Sequence, residues 1–168
     1  SVVFRFFKDG VAFRYRVGNE APSRVLNEFS ACRLADIARV WSIPFSSGDE
    51  GVFARQDGTE PLQGSARSFP VLMESGTGHW ALVTESDVSD YPLSSGRFEG
   101  DALRWVFARE KEAANRVGPG FESPWRVIIL GDRLGTIVES CLADDLAPAA
   151  TGPVPDWGGP RRWRWPGP

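Results

Sequence analysis

Histidine, cysteine and lysine are nearly missing from these 168 residues, and each shortage closes off a class of chemistry. One histidine, His79, and two distant cysteines, Cys32 and Cys141, cannot assemble the several nitrogen and sulfur ligands of a zinc site. Two cysteines make no disulfide framework, and both are expected as unpaired, buried thiols. Lysine stands only at Lys8 and Lys111, the net charge is −3, and no basic block offers a footprint for nucleic acid or anionic lipid. No apolar run approaches the ~20 residues that span a bilayer. Phosphate-cradling GxGxxG and GxxxxGK(S/T) loops are absent, and no GxSxG elbow accompanies the lone histidine toward a Ser-His-Asp triad.

What is plentiful points to strands. Seven Trp and eleven Phe favour sheets and recognition surfaces, and eighteen Gly with thirteen Pro supply many turns. "VVFRFFKDGVAFRYRV" predicts a hairpin about Asp9-Gly10, with Val11, Phe13, Tyr15 and Val17 on one face and Arg14 and Arg16 on the other. "RVLNEFSACRL" reads as a further strand. "LADIARVWSIPF" has Leu34, Ile37, Ala38 and Trp41 at helical spacing and predicts a short amphipathic helix. Residues 46–67 read as a surface loop with one short strand. "SFPVLMES" and "HWALVTES" form a hairpin around Gly76-Thr77-Gly78. Leu103, Trp105 and Phe107 alternate as in a strand that ends near Arg109, followed by a polar stretch. "PWRVIILGD" is a strongly apolar strand, and "GTIVESCLADDL" is another element beside it. Strands at short intervals without βα alternation predict an all-β antiparallel sandwich. It occupies residues 1–150, and residues 151–168 form a Pro/Gly/Trp-rich linker. The chain opens inside a strand with no lead-in, so the sandwich is expected to be incomplete at its N-terminal edge and to offer an exposed edge to a second copy.

The chemistry, where there is any, lies in "GHWALVTESDVSDY" (78–91). In a strand over 79–85, Trp80, Leu82 and Thr84 point one way, and Ala81, Val83 and Glu85 the other. Glu85 then stands at the strand's end as a hard oxygen donor suited to Ca²⁺, but Ca²⁺ takes roughly 6–8 oxygens and this segment lacks the EF-hand spacing. The plainer reading makes the acids a solvated turn, with Asp87, Ser89 and Asp90 bonding nearby backbone. Trp157, Trp163 and Trp165 likewise have two readings: Trp163 and Trp165 as a platform for sugar rings, or all three as anchors for the tail. On these residues alone a stand-alone sandwich that binds carbohydrate or a protein partner stays open.

"DGVAFRY" (9–15), "NEFSACRL" (27–34) with Trp41, "ALVTESDVSDYP" (81–92), "SPWRVIILGD" (123–132) and "DWGGP" leading to "WRW" occur in one order. This pattern resembles the N-terminal domain of glycoside hydrolase family 97, bacterial α-glucosidases and α-galactosidases, over nearly the whole chain. The resemblance implies a galactose-mutarotase-like supersandwich packed on a catalytic (β/α)8 barrel whose carboxylates do the chemistry and which this sequence does not contain. It implies an active-site Ca²⁺ held mostly by barrel glutamates, with Glu85 as the one ligand from this domain. It implies α-linked glucose or galactose oligosaccharides as partners of the intact enzyme and no catalytic residue in this chain. The intact protein is expected to be bacterial and periplasmic or secreted.

Overall fold

Period-two alternation builds most of the molecule. The computed structural model describes residues 1–18, 20–46, 51–89, 92–107, 116–149 and 152. The hairpin predicted around Gly76–Gly78 forms from β7 (Ala66–Ser75) and β8 (Trp80–Ser86). On β8, Ala81 and Val83 turn into one hydrophobic cluster while Trp80 and Leu82 pack against another, because successive side chains leave opposite faces. β12 (Trp125–Gly131) inserts antiparallel between β8 and β2 (Gly10–Tyr15), and β1 (Val2–Phe7) closes that side.

β7 belongs to both halves of the fold. Val71–Glu74 pair with β8, whereas Ala66–Arg67 pair with β9 (Ser94–Glu99), followed outward by β10 (Ala102–Phe107) and β4 (Ala31–Arg33). β5 (Ile37–Pro44) lines the other side of β7, with β6 (Ala54–Asp57) beyond it. The sheet curls, so β10 lies across the inner face of β2: the Trp105 ring meets Phe13 edge-on at 6.0 Å. Val40, Val71, Met73, Phe98, Leu103 and Trp105 fill the space between. Burying one such side chain contributes about 1.5–3 kcal/mol relative to leaving it in water. Two short helices, α1 (Leu134–Glu139) and α2 (Leu142–Leu146), cover the outer face and press Ile137, Leu142 and Leu146 onto Ala12, Trp125, Val127 and Ile129. The architecture is an all-β antiparallel, sandwich-like domain. Among the described residues no helix is long and apolar enough to cross a membrane.

Several local expectations change. Phe7 pairs with Gly10, so the β1–β2 turn is Lys8-Asp9 and Gly10 is already strand. A Cβ at Gly10 would lie 2.3 Å from the Ile128 carbonyl oxygen, so glycine is there for close approach to β12. The expected helix over 34–45 is strand β5. Register shifts between Ile37 and Arg39 and between Trp41 and Ile43 break its alternation, and the apolar spacing then imitates a helix. Of "RVLNEFSACRL" only Ala31–Arg33 is strand, apart from Arg24 in β3 (Ser23–Arg24), which pairs with β11 (Arg116–Val117). The loop of 46–67 carries β6 and a 3-10 turn at Glu60–Leu62. Both cysteines are unpaired, but Cys141 is exposed rather than buried, since it sits in the link between α1 and α2. The polar stretch after β10, from 108 to 115, lies outside the described residues.

Candidate functional site

The three acids at the exit of β8 part company. Glu85 is on the inner face, directly opposite Arg126 of β12. Arg126 is fully buried, and its guanidinium spans two carboxylates: Nη1 donates to Glu85 Oε1, Nε donates to Glu28 Oε1 at 2.9 Å, and Nη2 donates to Glu28 Oε2. Ser94 of β9 donates its hydroxyl to the same Glu85 Oε1. The guanidinium also sits over Trp105, 6.0 Å from the ring centre. One clasp therefore joins β8, β12, β9 and the 25–30 segment that carries Glu28. A charge taken out of water on this scale persists only when paired and hydrogen-bonded, and Arg126 meets that condition through its fork of donors.

Asp87 faces the opposite way. Its φ of 56° is left-handed, a conformation that aspartate tolerates in turns, and its carboxylate pairs with Arg14 at 3.4 Å on the outer face. Arg14 also pairs with Glu122 and stacks on the Trp125 ring at 4.4 Å. Asp87 accepts from the Ser89 hydroxyl as well, so its partners are two side chains rather than the backbone groups expected of a solvated turn. Asp90 lies outside the described residues, as do Trp157, Trp163 and Trp165. His79 is exposed in the hairpin turn, its Nδ1 3.0 Å from the Thr77 hydroxyl. Cys32 packs half-buried against the inner core, and burial pushes its thiol up to about 12.

Sequence reasoning missed Glu28 and Arg126. The signal was present in "PWRVIILGD", where one arginine interrupts an apolar strand: a cation at such a position needs a buried anion.

The donor set tests how far this site suits a hard cation. Two carboxylates share the Arg126 guanidinium, and no described residue donates a hydrogen bond to Glu85 Oε2. Yet among the described residues no group of three or more His, Cys, Asp or Glu is placed to hold a metal. The residues present fit a single donated oxygen and do not fit a complete Ca²⁺ shell of roughly 6–8 oxygens. Beside the clasp, a mostly apolar cleft of about 250 Å³ is lined by Tyr15, Val17, Val25, Phe29 and Phe121, with Glu28 at its wall.

Residues 1–148 match the family described as Glycosyl-hydrolase 97 N-terminal. A curated relative from Streptomyces bingchenggensis, named a probable retaining alpha-galactosidase, is 31% identical over 167 residues, which are 98% of this chain and 26% of that protein. A glycoside hydrolase family 97 enzyme from Pseudoalteromonas sp. strain K8, solved in complex with acarbose, superposes with a TM-score of 0.73 at 18% identity, over 84% of this chain and 22% of its own. A beta-arabinopyranosidase crystal structure gives a TM-score of 0.67 at 25% identity, over 84% of this chain and 26% of its own. The chain spans about a quarter of the length of the relatives it matches. It belongs to the N-terminal domain family of the family 97 glycoside hydrolases.

Proposed function

We propose that this domain serves a family 97 enzyme acting on α-galactosides or α-glucosides, without catalysing hydrolysis itself. It packs against the catalytic barrel and lends Glu85 to the calcium of the active site. The observation that carries the reading is the half-committed carboxylate of Glu85: Oε1 is fixed by Arg126 and Ser94, while Oε2 accepts from no described residue. Arg126 holds the carboxylate in one orientation, Glu28 offsets the guanidinium charge, and Ser94 locks the first oxygen. A calcium ion, when bound, supplies positive charge that positions and polarises sugar oxygens. This chain's contribution is to present one preorganised oxygen to it. The curated relative's name favours an α-galactoside, and the acarbose complex of a neighbour supports oligosaccharides as partners of the whole enzyme. Streptomyces as the source of that relative supports a bacterial enzyme, and we place it in the periplasm or outside the cell.

The test uses calorimetry on the chain and activity of the parent enzyme. The chain alone should bind Ca²⁺ no tighter than about 10⁻⁴–10⁻³ M, the weak end for protein sites. It should leave nitrophenyl α-glycosides intact. In the parent enzyme Glu85→Gln should raise the calcium concentration needed for activity at least about tenfold. A micromolar constant that survives Glu85→Gln would remove Glu85 from the ligand set, and turnover by the chain would overturn the non-catalytic role.

A further inference from the structure

We propose that Glu28 is a positioning residue for Glu85: by taking the side-on fork of Arg126, it limits that arginine to one oxygen of Glu85 and keeps the second available to a cation. The inference rests on the reading of Glu85 as a calcium ligand and adds a control that reading does not contain. Arg126 divides its donors unequally. Nε and Nη2 reach the two oxygens of Glu28, one each, whereas Nη1 reaches Glu85 at Oε1. Ser94 donates its hydroxyl to that same Oε1. A guanidinium matches a carboxylate best through two parallel N–H···O bonds. Glu28 holds that bidentate place, and Glu85 is left with the monodentate one.

Charge balance alone does not call for Glu28. One carboxylate neutralises one guanidinium, and Glu85 already stands opposite Arg126 in the β8–β12 register. The Glu28 side chain is nonetheless only 3% exposed, and a carboxylate gives up its water at a cost that needs a return. The segment around it is built to deliver this group. In "LNEFS" the apolar Leu26 and Phe29 are exposed, while Glu28 and Ser30 are buried. Ser30 is tied from both ends: its carbonyl accepts from the Trp105 N–H at 3.0 Å, and its hydroxyl meets the Tyr15 hydroxyl at 2.9 Å. The Asn27 side chain accepts from the Glu28 N–H at 2.8 Å. From 26 to 30, polar contacts rather than apolar burial fix the approach of Glu28 to Arg126. Removing the Glu28 charge frees Nη2 to turn toward Glu85 Oε2, and the arginine then occupies the oxygen a cation needs.

Calorimetric titration of the calcium-free parent enzyme with Ca²⁺ reads the outcome. Glu28→Gln keeps the shape and removes the charge, and it should weaken calcium binding at least about tenfold, as loss of a ligand-orienting partner does. In a Glu85→Gln background the same substitution should cost no further affinity, because its effect runs through Glu85. A through-space charge effect or a general loosening of the fold would persist in that background. Glu28→Asp keeps the charge and draws it back by one methylene, so its loss should be smaller and should also vanish beside Glu85→Gln. Where Glu28→Gln fails to fold, Glu28→Asp decides the matter. Unchanged calcium affinity in the folded Glu28 variant, or an equal loss with and without Glu85→Gln, would overturn the proposal while leaving Glu85 as a ligand. Calcium binding indifferent to Glu85→Gln alone would remove the reading of Glu85 and this proposal with it.

Discussion

Arg126 and Phe6 lie on the same face of one sheet, two strands apart with β2 between them, and with their burial reversed. The arginine is fully buried and the phenylalanine is 81% exposed. What differs is the layer above them. Over β12 and β8 the curled sheet brings β9, β10 and the 25–30 segment, which supply Ser94, Trp105 and Glu28. Over β1 no described strand lies, and the apolar row from Val2 to Phe6 stays open. Burial is thus decided by topology, and the side chain that ends inside needs partners to suit. Arginine is tolerated there because its planar fork satisfies two carboxylates at once.

The largest effect should come from breaking the buried side of this contrast. Arg126→Met should cost about 3–5 kcal/mol, because it removes the buried guanidinium that Glu28 and Glu85 share. Urea unfolding measures it, and a cost below about 1 kcal/mol would show that the carboxylates find water instead of the clasp. Next comes Cys32, at the covered end of the same face. Its thiol is pushed up from 9.0 to about 12 by burial, so above pH 9 the unfolded chain releases a proton that the folded chain keeps. Stability is therefore undiminished below pH 9 and falls as pH climbs toward 12, by at most about 1.4 kcal/mol per pH unit. Cys32→Ala should remove that slope in unfolding curves taken at successive pH values. A thiol reagent at pH 8 should meanwhile label the exposed Cys141 and spare Cys32. The smallest effect belongs to the open side: Phe6→Lys should shift the stability of the monomer by less than about 0.5 kcal/mol. A larger loss in dilute solution would mean that the ring is covered after all.

The sequence disclosed strands wherever alternation ran unbroken, as in β2, β8, β10 and β12, and it placed Glu85 on the same face as Ala81 and Val83. It failed where a bulge or a short element hid the period. β5 carries two register shifts, so Ser42 and Ile43 are both buried and no alternation survives. α1 and α2 have six and five residues, too few to show a helical repeat. The clasp was half legible. Glu85 came from strand parity and the family resemblance, but its partners Glu28 and Arg126 lie far away in sequence, joined only by the curl of the sheet. A lone arginine in an apolar strand announces a buried partner without saying where the partner is.

The position of β12 also orders events in time. β2 can reach β8 only through β12, so the β1–β2 hairpin has no place in the sheet until more than a hundred further residues have been made. At cellular synthesis rates that interval is on the order of ten seconds. During it, the β1–β2 hairpin waits with the edge of β2 that β12 will occupy still unpaired.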